Sequence, residues 1–194
     1  MPDPARPSDA PAIRAATSDD APVIASIMVA SFLATYRGIM PDSVLARQDV
    51  ANRTEAWRAQ FARTVPSDPV RVWVVESDGT VAGYAVTVPA SDEFLPPPAG
   101  AGELDSLYLH PDMVGRGLGR HLLRHATDDL WDRGFRPLVL WAFAASDRAR
   151  HVYESDGWVH DADHHWVLDD IPVPIVRYRL DRDARSRDER RAAD

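Results

Sequence analysis

One stretch constrains this chain more than any other. Glu103-Leu104-Asp105-Ser106-Leu107-Tyr108-Leu109-His110-Pro111 is followed two residues later by Val114-Gly115-Arg116-Gly117-Leu118-Gly119-Arg120. The first part alternates as a strand does, setting Leu104 apart from Leu107 and Leu109. Pro111 ends it, because proline has no N–H for a ladder. Glycines at alternate positions then allow backbone to come close to whatever lies above it. Leu118, Leu122, Ala126 and Leu130 recur at helical spacing, so a helix starts inside the glycine run. Its first N–H groups lack helical partners and stand at the positive end of the helix dipole, which suits a phosphate.

The rest of the chain supplies neighbours for that unit. Residues 13–17 predict a short strand. Thr17 and Asp20 form a box-like cap, with Pro22 in the first turn of a helix to about residue 34. Val23, Ile24, Ile27, Met28 and Ser31 share one of its faces. Tyr36-Arg37-Gly38 breaks this helix and Pro41-Asp42 opens another segment. Val50, Trp57, Phe61 and Val65 then mark the core stripe of a further helix. Residues 70–77 and 80–88 are strands around an Asp78-Gly79 hairpin turn. A proline-rich loop, Pro96-Pro97-Pro98 within it, leads to Glu103. After the glycine-led helix come a strand over 138–143 and a short helix over 146–155, ended by Asp156-Gly157. Residues 159–170 are polar and poorly patterned and read as a loop, and 173–180 form the last strand. A hairpin followed by β-α-β predicts a mixed α/β sheet with helices on both faces, not a regular doubly wound fold. One domain over 12–180 is expected, between disordered tails at 1–11 and 181–194.

Composition removes several function classes. All 22 basic residues are arginine and there is no cysteine, so P-loop lysines, Schiff bases, disulfides, thiolate metal sites and cysteine nucleophiles are excluded. A net charge of −8 argues against a nucleic-acid partner. No apolar run approaches the roughly 20 residues that span a bilayer, and the start lacks a signal-like apolar region. A cytoplasmic protein without a membrane partner is therefore expected. The glycine run fails as a dinucleotide fingerprint, since Arg120 stands where the third glycine belongs. His160, His164 and His165 with Asp161 and Asp163 have metal-like composition, but no helical pattern supports the spacing, so no metal site is expected. Ser106 lacks a nucleophile elbow.

A second motif gives the glycine loop its meaning. Ser146-Asp147-Arg148-Ala149-Arg150-His151-Val152-Tyr153-Glu154-Ser155-Asp156-Gly157-Trp158 begins just after the next strand. Strand, glycine loop, helix, strand and this helix together resemble the GNAT superfamily of acetyl-CoA-dependent N-acetyltransferases. Gly117 and Gly119 fit the family's cofactor signature, while Val114 stands in its Gln/Arg position. Ala149, Tyr153, Gly157 and Trp158 fit the later motif, with Ser146 in place of asparagine. Tyr36-Arg37-Gly38-Ile39-Met40-Pro41 and Val176-Arg177-Tyr178 resemble one branch of the family. The resemblance covers about residues 13–180. It implies a mostly antiparallel sheet with one splayed parallel strand pair, acetyl-CoA as donor, and a homodimer as an allowed assembly.

What the resemblance implies for single residues follows the motifs. Main-chain amides of Leu107 and Leu109, with Tyr108 between them, would face the pantetheine arm and thioester. Val114, Gly115, Arg116, Gly117, Leu118, Gly119 and Arg120 would cradle the pyrophosphate, with Ser146 and Arg148 as further cofactor contacts. Tyr153 would protonate the departing sulfur. An acceptor ammonium of ordinary pKa must lose a proton, which at pH 7 costs about 4.6 kcal/mol, so a base is useful. Glu103 is the first candidate for it, and Asp105, two residues on along the strand, is its same-face rival. Tyr36, Glu103 and Trp141 are the acceptor-side candidates, with the proline-rich loop and the segment around His160 nearby. Direct transfer in a ternary complex to a small primary amine or amino-acid-like molecule leads, a peptide or protein amino terminus follows. An acyl-CoA-binding module without turnover is the alternative from another class.

Overall fold

The computed structural model describes residues 11–38, 40–63, 69–168 and 170–182; the expectations for residues 1–10, Val65 and residues 183–194 lie outside them. The chain runs β1 (Ala12–Ala15), α1 (Ala21–Tyr36), α2 (Asp42–Ala46), α3 (Val50–Arg63), β2 (Arg71–Ser77), β3 (Thr80–Pro89) and β4 (Gly102–Leu109). It continues with α4 (Leu118–Asp132), β5 (Leu138–Phe143), α5 (Asp147–Ser155), β6 (Val159–Leu168) and β7 (Ile171–Leu180). These strands form one seven-stranded sheet in the order β1-β2-β3-β4-β5-β7-β6. Every pairing is antiparallel except that of β4 with β5.

Local chemistry sets most element ends. Asp20 accepts from the Thr17 backbone N–H at 2.7 Å and closes the box that launches α1. Asp78 and Gly79 both take positive φ, the requirement of a two-residue hairpin whose twist matches its strands. The Leu122, Leu123, Ala126, Leu130 stripe of α4 is buried against one sheet face, packing with Val75, Ala85 and Leu104. On the other face Ile24 and Ile27 of α1 pack with Val74, Tyr84 and Val86, and Trp57 and Phe61 join them, as core aromatics should. Val50, expected in the same stripe, is 39% exposed and does not join that cluster.

Two expectations fail for reasons that matter to function. Leu104 does not lie apart from Leu107 and Leu109; all three pack against the α4-side core. In the β3–β4 register Leu104 faces Thr87 while Ser106 faces Val86, so Asp105 is an extra residue, a bulge, and alternation restarts after it. Nor is 159–170 a loop. Residues 159–168 form β6, an edge strand whose inward positions Ala162, His164, Trp166 and Leu168 are half-buried while Asp161, Asp163, His165 and Val167 are exposed. An edge strand covered on one side needs few apolar residues, so its period-2 signal is weak.

The parallel pairing is short. β4 and β5 are in register only at Gly102↔Leu138, Glu103↔Val139 and Leu104↔Leu140. Beyond the bulge the two strands have no further paired positions, which is the splayed pair expected from the resemblance. β4 stays tied to β3, where Gly83 lies opposite Leu109. A Cβ on Gly83 would strike the Leu109 side chain and come within 2.6 Å of the Tyr108 carbonyl oxygen. Gly83→Ala is therefore expected to destabilise the fold by about 1–3 kcal/mol, read as a lower urea midpoint with an unchanged slope.

Candidate active site

The splay opens a cleft of about 630 Å³ between α1, the start of α3, the two separated strands and β6–β7. Glu103, Asp105, Leu107, Tyr108, Ser146, Tyr153, Tyr36 and Trp141 all line it, although they come from four different elements and a loop. Leu109, Val114, Gly115, Arg116, Gly117, Leu118, Gly119, Arg120 and Arg148 do not line it. They continue from the end of β4 into the glycine loop and α4, and the α5-borne Arg148 lies beside Gly115.

The glycine loop is built for close approach. Gly115 and Gly117 have positive φ, and Gly117 is the left-handed N-cap of α4. The first backbone bond of α4 runs from His121 N–H to the Gly117 carbonyl, leaving the earlier amides of the turn without helical acceptors. A Cβ on Gly119 would sit 3.2 Å from Leu109 Cδ1, so a small residue lets the helix start against the end of β4. The arginines here are engaged with the protein. Arg120 donates to Ser155 Oγ at 2.5 Å and lies 3.6 Å from Asp156, while Arg116 is 3.9 Å from Asp78.

Along β4, the Asp105 bulge decides which amides are turned outward. Gly102 N–H donates toward β5, to Pro137 O, whereas His110 N–H donates toward β3, to Ala82 O. Since donors alternate along a strand, the Leu107 and Leu109 amides lie on the side opposite to that of His110, facing the gap left by β5.

Tyr153 reaches the cleft because of how α5 ends. Trp158 N–H donates to Tyr153 O and Gly157 N–H to Glu154 O, the pair of bonds of a Schellman cap, with Gly157 at positive φ. The Tyr-Gly-aromatic spacing is thus a helix stop as well as a motif, and buried Trp158 packs edge-on to Tyr153 at 6.5 Å. Burial holds the Tyr153 phenol well above its usual pKa, so it stays neutral and able to donate. Ser146, the N-cap of α5, lines the cleft and carries a buried Oγ with no hydrogen-bond partner.

Glu103 is 9% exposed, and so is not an edge glutamate in solvent. It accepts from Ser91 N–H at 3.3 Å. Burial pushes its pKa up to about 7, helped by the charges of Asp105 and Glu93 and opposed by the Ser91 bond and Arg177. Asp105, the bulge residue, is exposed and accepts from Ser106 Oγ at 2.7 Å. It lines the cleft together with Glu103, the one exposed and the other buried. Burial is the main cause that pushes the Tyr36 and Tyr108 phenols up, and the two interact with one another. No group of metal-ligating side chains occurs among the described residues.

Sequence reasoning missed part of the cleft. Phe94, Phe143 and Trp166 line it, and Arg53 borders it from α3. The proline-rich loop and the segment containing His160 were placed near the acceptor side, and they contribute Phe94 and Trp166; His160 itself does not line the cleft. The aromatic content of those segments was the available signal.

With this geometry in view, the comparisons with known proteins are specific. The acetyltransferase (GNAT) family matches residues 34–158, and the chain belongs to that family. It is 37% identical over 97 residues to a mycothiol acetyltransferase of Beutenbergia cavernae, covering 50% of this chain and 31% of that protein. It is 34% identical over 100 residues to the L-amino acid N-acyltransferase of Escherichia coli K12, covering 50% of this chain and 54% of that one. The chain thus spans less than two thirds of either relative. Its fold matches a solved structure of a putative acetyltransferase from Salmonella typhimurium with its cofactor acetyl-CoA, at a TM-score of 0.65 and 24% identity, covering 88% of this chain and 93% of the other. Among the described residues no helix is long and apolar enough to cross a membrane.

Proposed function

We propose that this chain transfers an acetyl group from acetyl-CoA to a small primary amine by direct attack in a ternary complex. The observation that carries the reading is one cleft lined by both a carboxylate poised near neutrality, Glu103, and a phenol held neutral by burial, Tyr153. The residues fit the donor. Outward amides of Leu107 and Leu109 suit a pantetheine arm and a thioester carbonyl, the α4 start suits the pyrophosphate, and the unpartnered Ser146 Oγ suits a polar atom of the arm. Acetyl-CoA supplies an acyl group already activated as a thioester. Glu103 takes the proton that frees the amine lone pair for attack at the carbonyl carbon. The C–N bond forms as the C–S bond breaks, the Tyr153 O–H gives its proton to the leaving sulfur, and the second proton that nitrogen loses as the amide forms restores the Tyr153 phenol. Glu103, with a pKa near the working pH, then returns its proton to water.

No cysteine is available for an acyl-enzyme, which favours direct transfer. Amine-dependent release of CoA thiol from acetyl-CoA tests the reading, with mass detection of the acetylated amine. Tight acetyl-CoA binding without thiol release across aliphatic, aromatic, sugar and peptide amines would instead make the chain an acyl-CoA-binding module. Ser146→Ala is expected to raise the KM for acetyl-CoA about 3- to 10-fold with little change in kcat, the size of one neutral hydrogen bond. An unchanged KM would remove Ser146 from the donor site.

A further inference from the structure

The acceptor side of the cleft is walled by aromatic rings that meet one another at fixed angles. Phe94 stands edge-on to Trp141 at 5.3 Å and to Trp166 at 5.9 Å, from a loop, from β5 and from β6 respectively. Trp166 stacks on Phe143 at 5.8 Å, with 21° between planes. The four rings stay half-buried or line the cleft directly. Trp141 is held as a platform. The Arg177 guanidinium lies 5.7 Å from its ring centroid, and Asp161 holds that guanidinium by bonds of 2.9 and 3.2 Å, with the Arg177 side chain largely covered. Arg177 also donates to Pro96 O, which ties the Phe94-bearing loop to the sheet.

Glu103 belongs to this same end. It feels the charge of Arg177, the residue stacked on Trp141, and it pairs in register with Val139, two residues before Trp141. Arg177 is neutralised by Asp161, so the end as a whole is acidic, with Glu93 and Glu103 both on the wall. Arg53 acts at the other end, on Tyr84 and Tyr108.

From this juxtaposition we infer that the acceptor is an amine carrying an aromatic ring one or two carbons from its nitrogen, the ring seated against Trp141 and Phe94 and the nitrogen at Glu103. The inference rests on the acetyl transfer proposed above and names its acceptor class. Ring edges and faces offer stacking partners that a short aliphatic chain cannot use, while a carboxylate at the end of the aromatic wall satisfies the ammonium before it is deprotonated. A sugar amine would need several hydroxyl partners, and this wall is mostly apolar ring. A peptide amino terminus would need backbone partners along an extended path.

The test compares 2-phenylethylamine, n-butylamine, glucosamine and an alanine-started tripeptide as acceptors for the full chain, by kcat/KM. Phenylethylamine should exceed each of the others by at least about 10-fold, the discrimination an apolar pocket gives for a lost packing group. Trp141→Leu and Phe94→Leu should each bring the phenylethylamine-to-butylamine ratio down toward one. The inference is overturned if butylamine, glucosamine or the peptide serves equally well, or if the ratio survives both changes. Should no amine be acetylated, the proposed activity fails, and calorimetry decides the ring site by itself. Phenylethylamine bound at least about 10-fold tighter than butylamine, with the difference lost in Phe94→Leu, sustains the aromatic site; equal binding of the two amines overturns it.

Discussion

Glu103→Gln is expected to lower kcat/KM for the amine by about 10²-fold or more at pH 8, within the range that general base help supplies. The sign with pH follows from burial. The active form is the carboxylate, and its pKa is pushed up to about 7, so wild-type kcat/KM should rise through neutrality and level off above it. Glutamine keeps the shape and can still accept from Ser91 N–H, but it has no such limb, so the profile of the variant should be flat there. Stability moves the opposite way. A carboxyl whose folded pKa lies above its unfolded value favours the folded state below the unfolded pKa, and that advantage is lost as pH rises through about 7. The glutamine variant should therefore gain on wild type at alkaline pH by on the order of 2–3 kcal/mol. Denaturant midpoints at pH 5 and pH 9 measure the difference. A variant that keeps the wild-type pH–rate limb would take Glu103 out of the mechanism and leave Asp105 or a water chain to be examined.

Tyr153→Phe is expected to reduce kcat about 10²-fold while leaving the KM for acetyl-CoA within about 2-fold, since a proton donor to the leaving group acts at the transition state. Packing should survive, because the ring contacts to Trp158 and Tyr178 do not use the hydroxyl. Burial keeps the phenol protonated beyond the usual range, so Tyr153 should cause no fall in wild-type rate up to pH 10. An equal loss in binding and turnover would assign Tyr153 to packing. The two substitutions separate cleanly: the first removes a pH limb, and the second lowers the plateau.

Much of the framework was legible because its signals are local. The Thr17–Asp20 box, the Asp78-Gly79 turn, the α4 stripe and the Gly157 stop each act over one or two turns of chain. Pattern and chemistry there point to the same element. Tyr153 came from the resemblance, whose glycine-aromatic pair is also the Schellman cap that ends α5. β6 was not legible, because an edge strand that buries only alternate residues on one side can carry histidines and aspartates. The face of Leu104 relative to Leu107 and Leu109 was misjudged because a bulge leaves no local mark. It arises when Leu104 pairs with Thr87 and Ser106 with Val86, partners far away in the chain.

By itself, then, the sequence determined the order of elements, the glycine-capped helix, the absence of lysine and cysteine chemistry and the helix that carries Tyr153. All of these depend on residue identity and on neighbours within a few positions. Tertiary structure alone decided where β4 leaves β5, which amides face the gap, that Glu103 is buried with a pKa near 7, and that Phe94, Trp141 and Trp166 meet. Strand register is a long-range pairing, and desolvation is a property of everything packed around a group. Neither is written in the residues that feel it.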